Sequence, residues 1–156
     1  MTAVSNQFYV TLFSNSSSKM YKVNTLSAFT IKLAQPVGLN YAEWWKVGIF
    51  EVTYPPPIVC NGLPLTTLGN THVLVYCNVI SPQFVGNDIV RCLSTFIFPS
   101  TNCENIFEKI NYVPVEQQNF QEIRIEFIQK EVKRVPFKAS NITTKVVLHF
   151  RKNYHR

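Results

Sequence analysis

The segment from Trp45 to Pro55 constrains the fold more than any other part of this sequence. It reads Trp-Lys-Val-Gly-Ile-Phe-Glu-Val-Thr-Tyr-Pro, an almost unbroken apolar run, and two more prolines follow directly. Valine, isoleucine and threonine favour the pleated surface of a sheet. Proline has no backbone N–H group to donate to a sheet ladder, so a run of prolines ends a strand. We therefore predict that Trp45–Tyr54 is a packed β-strand.

Segments of the same character recur along the chain, with Pro, Gly, Ser or Asn near most of the breaks. In the first of them, Phe8, Val10 and Leu12 alternate with residues of the opposite face. This period of two is typical of a half-buried strand. Together with Trp45–Tyr54, the following segments bring the number of predicted strands to eight: Gln7–Phe13, Leu26–Leu33, His72–Ile80, Ile89–Phe98, Asn105–Val113, Ile123–Val132 and Thr144–Arg151.

The segment Phe120–Val132 leaves a second interpretation open. Phe120, Ile123 and Phe127 also satisfy the spacing of a helix face. Apolar and charged residues alternate strictly from Ile123 to Phe127, which favours a strand. We predict a strand here, and a helix is the alternative.

The connections between the predicted strands carry turn residues rather than crossover helices, and a long loop runs from Pro55 to Asn70. Eight strands joined in this way indicate an antiparallel sandwich or barrel. We predict an all-β fold, a single eight-stranded antiparallel jelly-roll sandwich, which accounts for the strand number and the long loops. An immunoglobulin-like sandwich is the alternative, although the chain lacks the Cys…Trp…Cys spacing of antibody-type domains.

The whole chain is predicted to form one domain. Residues 1–156 make up this domain, with a short N-terminal arm of about residues 1–6 and a basic C-terminal tail of about residues 151–156. A chain of this length can bury a substantial core. The side chains expected in that core are Phe29, Ile31, Val47, Ile49, Ile125 and Val147.

The composition predicts an oligomer. Hydrophobic residues make up 46% of the chain and charged residues only 15%, and the aromatic residues are twelve Phe, seven Tyr and two Trp. So few charged residues leave apolar side chains to cover part of the surface of a monomer. Contiguous apolar surface usually marks an interface between proteins.

Cysteine usage indicates a reducing compartment. Cys60, Cys77, Cys92 and Cys103 are spread along the chain without a C-x-x-C spacing. The sequence begins without the basic segment and apolar run of a secretory signal, so we expect buried, reduced thiols. Disulfides are the alternative. No apolar stretch approaches the roughly 20 residues that span a bilayer, so no membrane span is expected.

Residues suited to catalysis or to metal binding are sparse. His72, His149 and His155 lie far apart, and neither H-x-H nor H-E-x-x-H occurs. Such pairs set two imidazoles on one metal ion. His149 lies between Leu148 and Phe150, and we interpret it as an outward residue of the last strand. The sequence therefore predicts no enzyme, no catalytic or metal site and no cofactor.

Basic residues outnumber acidic ones, which gives a formal net charge of +6. Without a recognition helix or an Arg-rich arm, this charge provides no sequence-specific contact with nucleic acid. Scattered charges are most often solvated residues of loops and tails. Arg151, Lys152 and Arg156 are nevertheless the candidate contacts with nucleic acid, because a chain end can reach beyond the sandwich.

Several segments of the sequence resemble one protein family. Three lie in the first third of the chain: Phe8–Ser17, Asn24–Pro36 and Trp45–Pro55. Near the end of the chain, Pro136-Phe137 and Val146–Arg151 are also similar to this family. The family is that of the penton, or minor capsid, proteins of Polinton/Maverick elements and adintoviruses.

The resemblance implies a single jelly-roll subunit that forms pentamers at the five-fold vertices of an icosahedral shell, beside a double jelly-roll major capsid protein. It also implies location in the virion, after synthesis in the host cytoplasm and assembly in the nucleus. Arg151, Lys152 and Arg156 would then contact the neighbouring capsid protein or the packaged DNA. A function of another class stays open, a lectin-like or receptor-like binding module that uses the loop from Pro55 to Asn70 or the Asn/Ser-rich loops.

Overall fold

The computed structural model describes residues 6–39, 44–54, 59–60, 63–64, 72–97, 104–129, 133–134 and 143–152. These residues form fourteen strand segments and no helix. The prediction of an all-β fold built from antiparallel sheets is confirmed. The strands are β1 (Gln7–Phe13), β2 (Ala28–Gly38), β3 (Trp45–Thr53), β4 (Val59–Cys60), β5 (Leu63–Pro64), β6 (His72–Cys77), β7 (Gln83–Val85), β8 (Asp88–Val90), β9 (Cys92–Ile97), β10 (Glu104–Ile106), β11 (Val113–Pro114), β12 (Asn119–Gln129), β13 (Lys133–Arg134) and β14 (Lys145–Lys152).

The first sheet contains β1, β14, β3, β10 and β11, and its strand pairs are antiparallel. β14 lies between β1 and β3. The short strands β10 and β11 follow one another along the far side of β3, with Glu104 opposite Thr53 and Val113 opposite Val47. The sheet is therefore four strand positions wide.

The second sheet contains β2, β13, β12, β6 and β9, and it is also antiparallel. β2 and β13 lie along one side of β12, whereas β6 and then β9 lie on the other side. β12 is the segment for which a helix was the alternative, and it is one long strand whose Ile123, Ile125 and Phe127 are fully buried. The alternation of apolar and charged residues therefore predicted its structure correctly.

A single hydrophobic core fills the space between the two sheets. Phe150 of the first sheet stacks on Phe8 at 4.9 Å and on Phe120 of the second sheet at 5.7 Å, measured between ring centroids. Aromatic pairs at such distances add to the stability gained by burying their area. Five of the six predicted core residues are buried, namely Phe29, Ile31, Val47, Ile49 and Ile125.

The prediction for the sixth core residue, Val147, is wrong. Val147 is half-buried, and Val146 and Leu148 on either side of it are the core residues. Three consecutive apolar residues do not reveal which of them points inward. The pairing with β3 shifts register between Val147 and Leu148, so Phe50 of β3 has no direct partner on β14.

The prediction of one continuous strand from Asn105 to Val113 is also wrong. β10 and β11 are separate strands. The backbone N–H of Phe107 still donates to the Phe50 carbonyl oxygen, and residues 108–112 then leave the edge of β3. The path of this segment depends on the absence of a side chain at Gly48 of β3. A Cβ atom at Gly48 would lie 2.8 Å from the carbonyl oxygen of Asn111 and would collide with the side chain of Ile110. The segment therefore crosses the outer face of the first sheet in close contact with the backbone of Gly48.

Other strand boundaries also differ from the prediction, as at β12, which runs from Asn119 to Gln129 and not from Ile123 to Val132. β2 continues to Gly38, beyond the predicted end at Leu33, through a register shift opposite Gln121, whose side-chain nitrogen donates to the Leu33 carbonyl oxygen at 3.0 Å. β6 ends at Cys77, before the predicted Ile80. The predicted strand Ile89–Phe98 is divided at Arg91, which lies between β8 and β9. The Arg91 guanidinium bonds to the Ile80 carbonyl and to Glu116.

Two small hairpins lie outside the main sheets. β4 and β5 pair within the predicted loop from Pro55 to Asn70, and the rest of that loop lies outside the described residues. β7 and β8 are joined by a two-residue turn at Gly86-Asn87. Gly86 has a φ of 61°, in the left-handed region that favours glycine. This turn sets Phe84 directly opposite Ile89.

Candidate functional site

The predicted contact residues lie at the end of the first sheet. Arg151 and Lys152 are the last two residues of β14, where Arg151 pairs with Gln7 on one side and Lys46 on the other. The backbone N–H of Lys152 donates to the carbonyl oxygen of Asn6 at 3.0 Å. Two residues of the predicted C-terminal tail are thus held in the sheet, whereas Arg156 lies outside the described residues.

Two cations surround one aromatic ring at this end of the sheet. The guanidinium carbon of Arg151 lies 4.2 Å from the centroid of the Tyr112 ring, and Nζ of Lys46 lies 5.2 Å from the same centroid. Each contact is a cation–π interaction. We name the group formed by Lys46, Tyr112 and Arg151 the basic end of the first sheet.

Lys152 points to the opposite face from Arg151, because successive side chains of a strand alternate. Its Nζ atom lies 5.8 Å from the ring centroid of the buried Trp45. Arg151 and Lys152 therefore do not act as one group. Arg151 faces the outer surface of the first sheet, and Lys152 lies against the rim of the core.

The electrostatic environment of the basic end is unfavourable for its own charges. Partial burial, followed by repulsion from Arg151, lowers the pKa of Lys46 below its usual value of 10.5. No carboxylate among the described residues forms an ion pair with Lys46 or Arg151. At the other end of the same face, Lys145 forms an ion pair with Glu51.

His149 lies on the outer face beside the basic end. Its Nε2 atom lies 2.9 Å from the side-chain oxygen of Gln7, and its Nδ1 atom lies 2.7 Å from the hydroxyl of Tyr112. A proton on Nε2 is donated to Gln7, so Nδ1 is free to accept from the Tyr112 hydroxyl. The imidazole also stacks on Tyr9 at 4.5 Å. This network connects β1, β14 and the 107–112 segment.

The prediction that His149 points outward needs a correction. The side chain is on the outer face, opposite its core neighbours Leu148 and Phe150, but the residue is only 5% exposed. Tyr9 and the 107–112 segment cover it. Burial, followed by the nearby charge of Arg151, lowers the pKa of His149 below its usual 6.5.

Lys46 and Tyr112 were missed by the sequence analysis. Each is unremarkable in its own segment, and neither lies near Arg151 in sequence. The signal that brings them together is the antiparallel register of β14 with β3, which places Lys46 opposite Arg151. That register depends on strands that are distant in sequence, so no local pattern reveals it.

The second surface feature is the hairpin of β7 and β8. Phe84 is 82% exposed and Ile89 is 65% exposed, which is unusual for a directly paired couple of large apolar side chains. A cleft of about 410 Å³ lies between this hairpin and the outer face of the second sheet. It is lined by Leu74, Tyr76, Val85, Gly86, Asn87, Asp88, Val90 and Ile128.

The described residues offer little for metal chemistry. No group of three or more His, Cys, Asp or Glu among them is arranged to hold a metal ion. Cys77 and Cys92 are buried and free, and burial raises the pKa of Cys77 to about 12. Cys60 and Cys103 contribute no described side chain. In the part of the chain that the structure describes, no helix is long and apolar enough to cross a membrane.

Comparison with known proteins rests on the fold. No protein-family model and no curated protein matches this sequence. Among solved structures, the crystal structure of the selenomethionine-labelled mavirus penton protein is similar, with a TM-score of 0.57 and 8% sequence identity. The match covers 95% of this chain and 99% of that chain. This chain therefore has a penton-like fold.

Proposed function

We propose that this chain is a viral capsid protein of the penton type, a minor capsid subunit in the virion. The observation that carries the proposal is the fold shared with the mavirus penton protein over 95% of this chain. The match also covers 99% of the other chain, so the two chains share the fold over nearly their full lengths. The sequence resemblance to penton proteins of Polinton/Maverick elements and adintoviruses points to the same class of protein.

The order of the strands supports an eight-stranded jelly roll. With β10 and β11 counted as one strand position and β2 and β13 as another, the sheet orders are β1-β14-β3-β10/β11 and β2/β13-β12-β6-β9. The chain passes between sheets from β1 to β2, from β2 to β3 and from β3 to β6. Eight strands in two sheets are typical of a double-sheet jelly roll. An immunoglobulin-like sandwich keeps its first two strands in one sheet, which disfavours that alternative.

The exposed apolar residues support self-association into a ring. Phe84 and Ile89 project from the hairpin over the second sheet, whereas Tyr9 and Phe13, 56% and 40% exposed, lie on the outer face of the first sheet. Two different patches on opposite layers allow a heterologous contact, in which one patch meets a different patch on the next copy. Heterologous contacts close into rings when the rotation between copies permits. We propose that the ring has five subunits.

The proposed partners follow from this role. The pentamer would occupy the five-fold vertices of an icosahedral shell, beside a double jelly-roll major capsid protein. The N-terminal arm and the basic C-terminal residues would contact that protein or the packaged DNA. Synthesis would take place in the host cytoplasm and assembly in the nucleus. A subunit of this kind requires shape and interfaces, so we propose no catalytic activity and no cofactor.

The mass of the purified chain in solution tests the ring. We expect a particle of five 18.0 kDa chains, and we expect the double variant Phe84→Ser/Ile89→Ser to lower this mass. Val23→Ser is the matched control, because Val23 is 80% exposed but lies outside both patches. Imaging of particles made with a major capsid protein tests the vertex location. A stable monomer at high concentration that is absent from particle vertices would exclude the proposal.

A lectin-like or receptor-like binding module is the second candidate function. The cleft of about 410 Å³ between the hairpin and the second sheet favours it, because clefts of this size bind small ligands. Tyr76 in this cleft offers an aromatic ring and a hydroxyl group to a ligand. Screening of the monomeric double variant against glycans separates the two candidates, since a binding module keeps its ligand without a ring.

A further inference from the structure

The strand register at the end of the first sheet places two positive charges directly opposite each other. The row of paired residues across this end is Gln7, Arg151, Lys46 and Pro114. Like charges that lie directly opposite on neighbouring strands destabilise a sheet. The row contains no acidic residue that would offset this repulsion. An anion bound between the two cations would remove it.

Lys46 and Arg151 both lie against the ring of Tyr112. The ring centroid lies 5.2 Å from Lys46 Nζ and 4.2 Å from the Arg151 guanidinium carbon. The hydroxyl of Tyr112 bonds to His149, and the close approach of residues 107–112 to Gly48 fixes the segment that carries it. The two positive groups are therefore positioned by the fold, and Arg151 stays exposed.

The other end of the same face shows how this sheet neutralises a basic residue. Lys145 also projects from β14 to the outer face, and Glu51 of β3 supplies its ion-pair partner. Lys46 and Arg151 form no ion pair with any described carboxylate. The lowered pKa of Lys46, caused by burial and by Arg151, reflects the same lack of compensation.

The aromatic residues around the basic end favour a nucleic-acid backbone over an acidic peptide. Trp44, 64% exposed, lies two residues before Lys46, and Tyr9, 56% exposed, lies on the outer face of the first sheet. Exposed aromatic rings beside cations suit nucleic acids, whose bases stack on the rings while their phosphates contact the cations. The net charge of +6 favours the same polyanion.

We propose that Lys46 and Arg151 form a phosphate-binding site for the backbone of a nucleic acid at the basic end of the first sheet. Arginine binds phosphate oxygens through two N–H groups, and lysine acts as a point charge beside it. The contact is independent of base sequence, because phosphates carry no sequence information and any base can stack on an exposed ring. That the nucleic acid is a packaged genome rests on the proposed function, whereas the binding itself does not.

Binding of a labelled single-stranded DNA of mixed sequence to the full chain tests the site, measured by fluorescence anisotropy at several salt concentrations. The test variant is Lys46→Gln/Arg151→Gln. The matched control is Lys19→Gln/Lys32→Gln, which removes the same charge from two exposed residues away from this sheet. Arg151→Lys, which keeps the charge, serves as a second test variant. Circular dichroism checks that each variant keeps its sheet structure.

We expect the test variant to bind this DNA at least about tenfold more weakly than the control variant at low salt. The slope of log K against log salt concentration should be smaller by about 1.4, the value for two phosphate contacts on a single strand. Arg151→Lys should retain most of the binding. Equal losses in the test and control variants, or no binding by the unmodified chain, would overturn the proposal. Poly-glutamate that competes as well as DNA would also overturn it, in favour of an acidic protein partner. The mass of the same samples reports ring formation separately, so failure of the ring is distinguishable from failure of the site.

Discussion

Replacement of Gly48 by alanine tests the close approach of residues 107–112 to the first sheet. The new Cβ atom would lie 2.8 Å from the carbonyl oxygen of Asn111, and it would collide with the side chain of Ile110. The Ile110 side chain can rotate away, but the Asn111 carbonyl belongs to the backbone and moves only with its segment. Gly48→Ala should therefore displace the segment that carries Tyr112.

Two opposing effects set the size of the change in stability. Alanine in the interior of a strand is favoured over glycine by about 0.5–1 kcal/mol, because glycine loses more backbone freedom on folding. Overpacking a close contact costs about 1–3 kcal/mol. The contact wins, so we expect Gly48→Ala to lower the free energy of unfolding by about 0.5–2 kcal/mol.

Urea unfolding followed by tryptophan fluorescence measures this change at a fixed protein concentration. The double variant Gly48→Ala/Ile110→Ala is compared with Ile110→Ala alone, and we expect a smaller penalty for the glycine replacement in that background. The penalty should not vanish, because the Asn111 carbonyl still obstructs the new methyl group. If Gly48→Ala is as stable as the unmodified chain or more stable, the segment does not press on β3 as described.

Three further predictions concern single side chains. The pKa of His149 is lowered in the folded chain, so below pH 6.5 the unfolded chain binds more protons than the folded chain. Stability should therefore fall as the pH drops below 6.5, and it should level off at lower pH. Thermal melts that show the same pH dependence for His149→Gln would contradict this. Phe150→Ala should cost about 3–5 kcal/mol in urea unfolding and Val147→Ala clearly less, because only Phe150 is fully buried; equal costs would refute the assignment of faces. Cys77, buried and with its pKa raised to about 12, should resist alkylation at pH 8 until the chain unfolds; rapid labelling of the folded chain would disprove its burial.

Local patterns in the sequence were sufficient for most of the strands. Alternation placed Phe8, Val10 and Leu12 on the inner face of β1, and it identified β12 as a strand. Patterns failed where neighbouring residues are all apolar, as at Val147, because such a run shows no alternation that assigns each residue to a face of the sheet. They also failed at residues 107–112, where the path depends on the missing side chain of Gly48 in another strand.

The candidate site could be predicted only in part. Arg151 and Lys152 were identified from their position near the chain end, but their opposite directions follow from the strand that contains them. Lys46 joins Arg151 through pairing between strands that are far apart in sequence. Such pairing is set by the packing of the whole domain, so the composition of either segment alone does not contain it.

The position of β14 between β1 and β3 has a consequence for synthesis of the chain. β1 pairs with β14 alone among the described strands, and Phe13 near its end lies opposite Lys145. During translation, β1 emerges from the ribosome long before its partner exists. Pairings between distant segments form slowly and leave apolar strands exposed in the meantime. The first sheet can therefore be completed only after β14 has left the ribosome, and until then the apolar face of β1 is open to aggregation with other nascent chains.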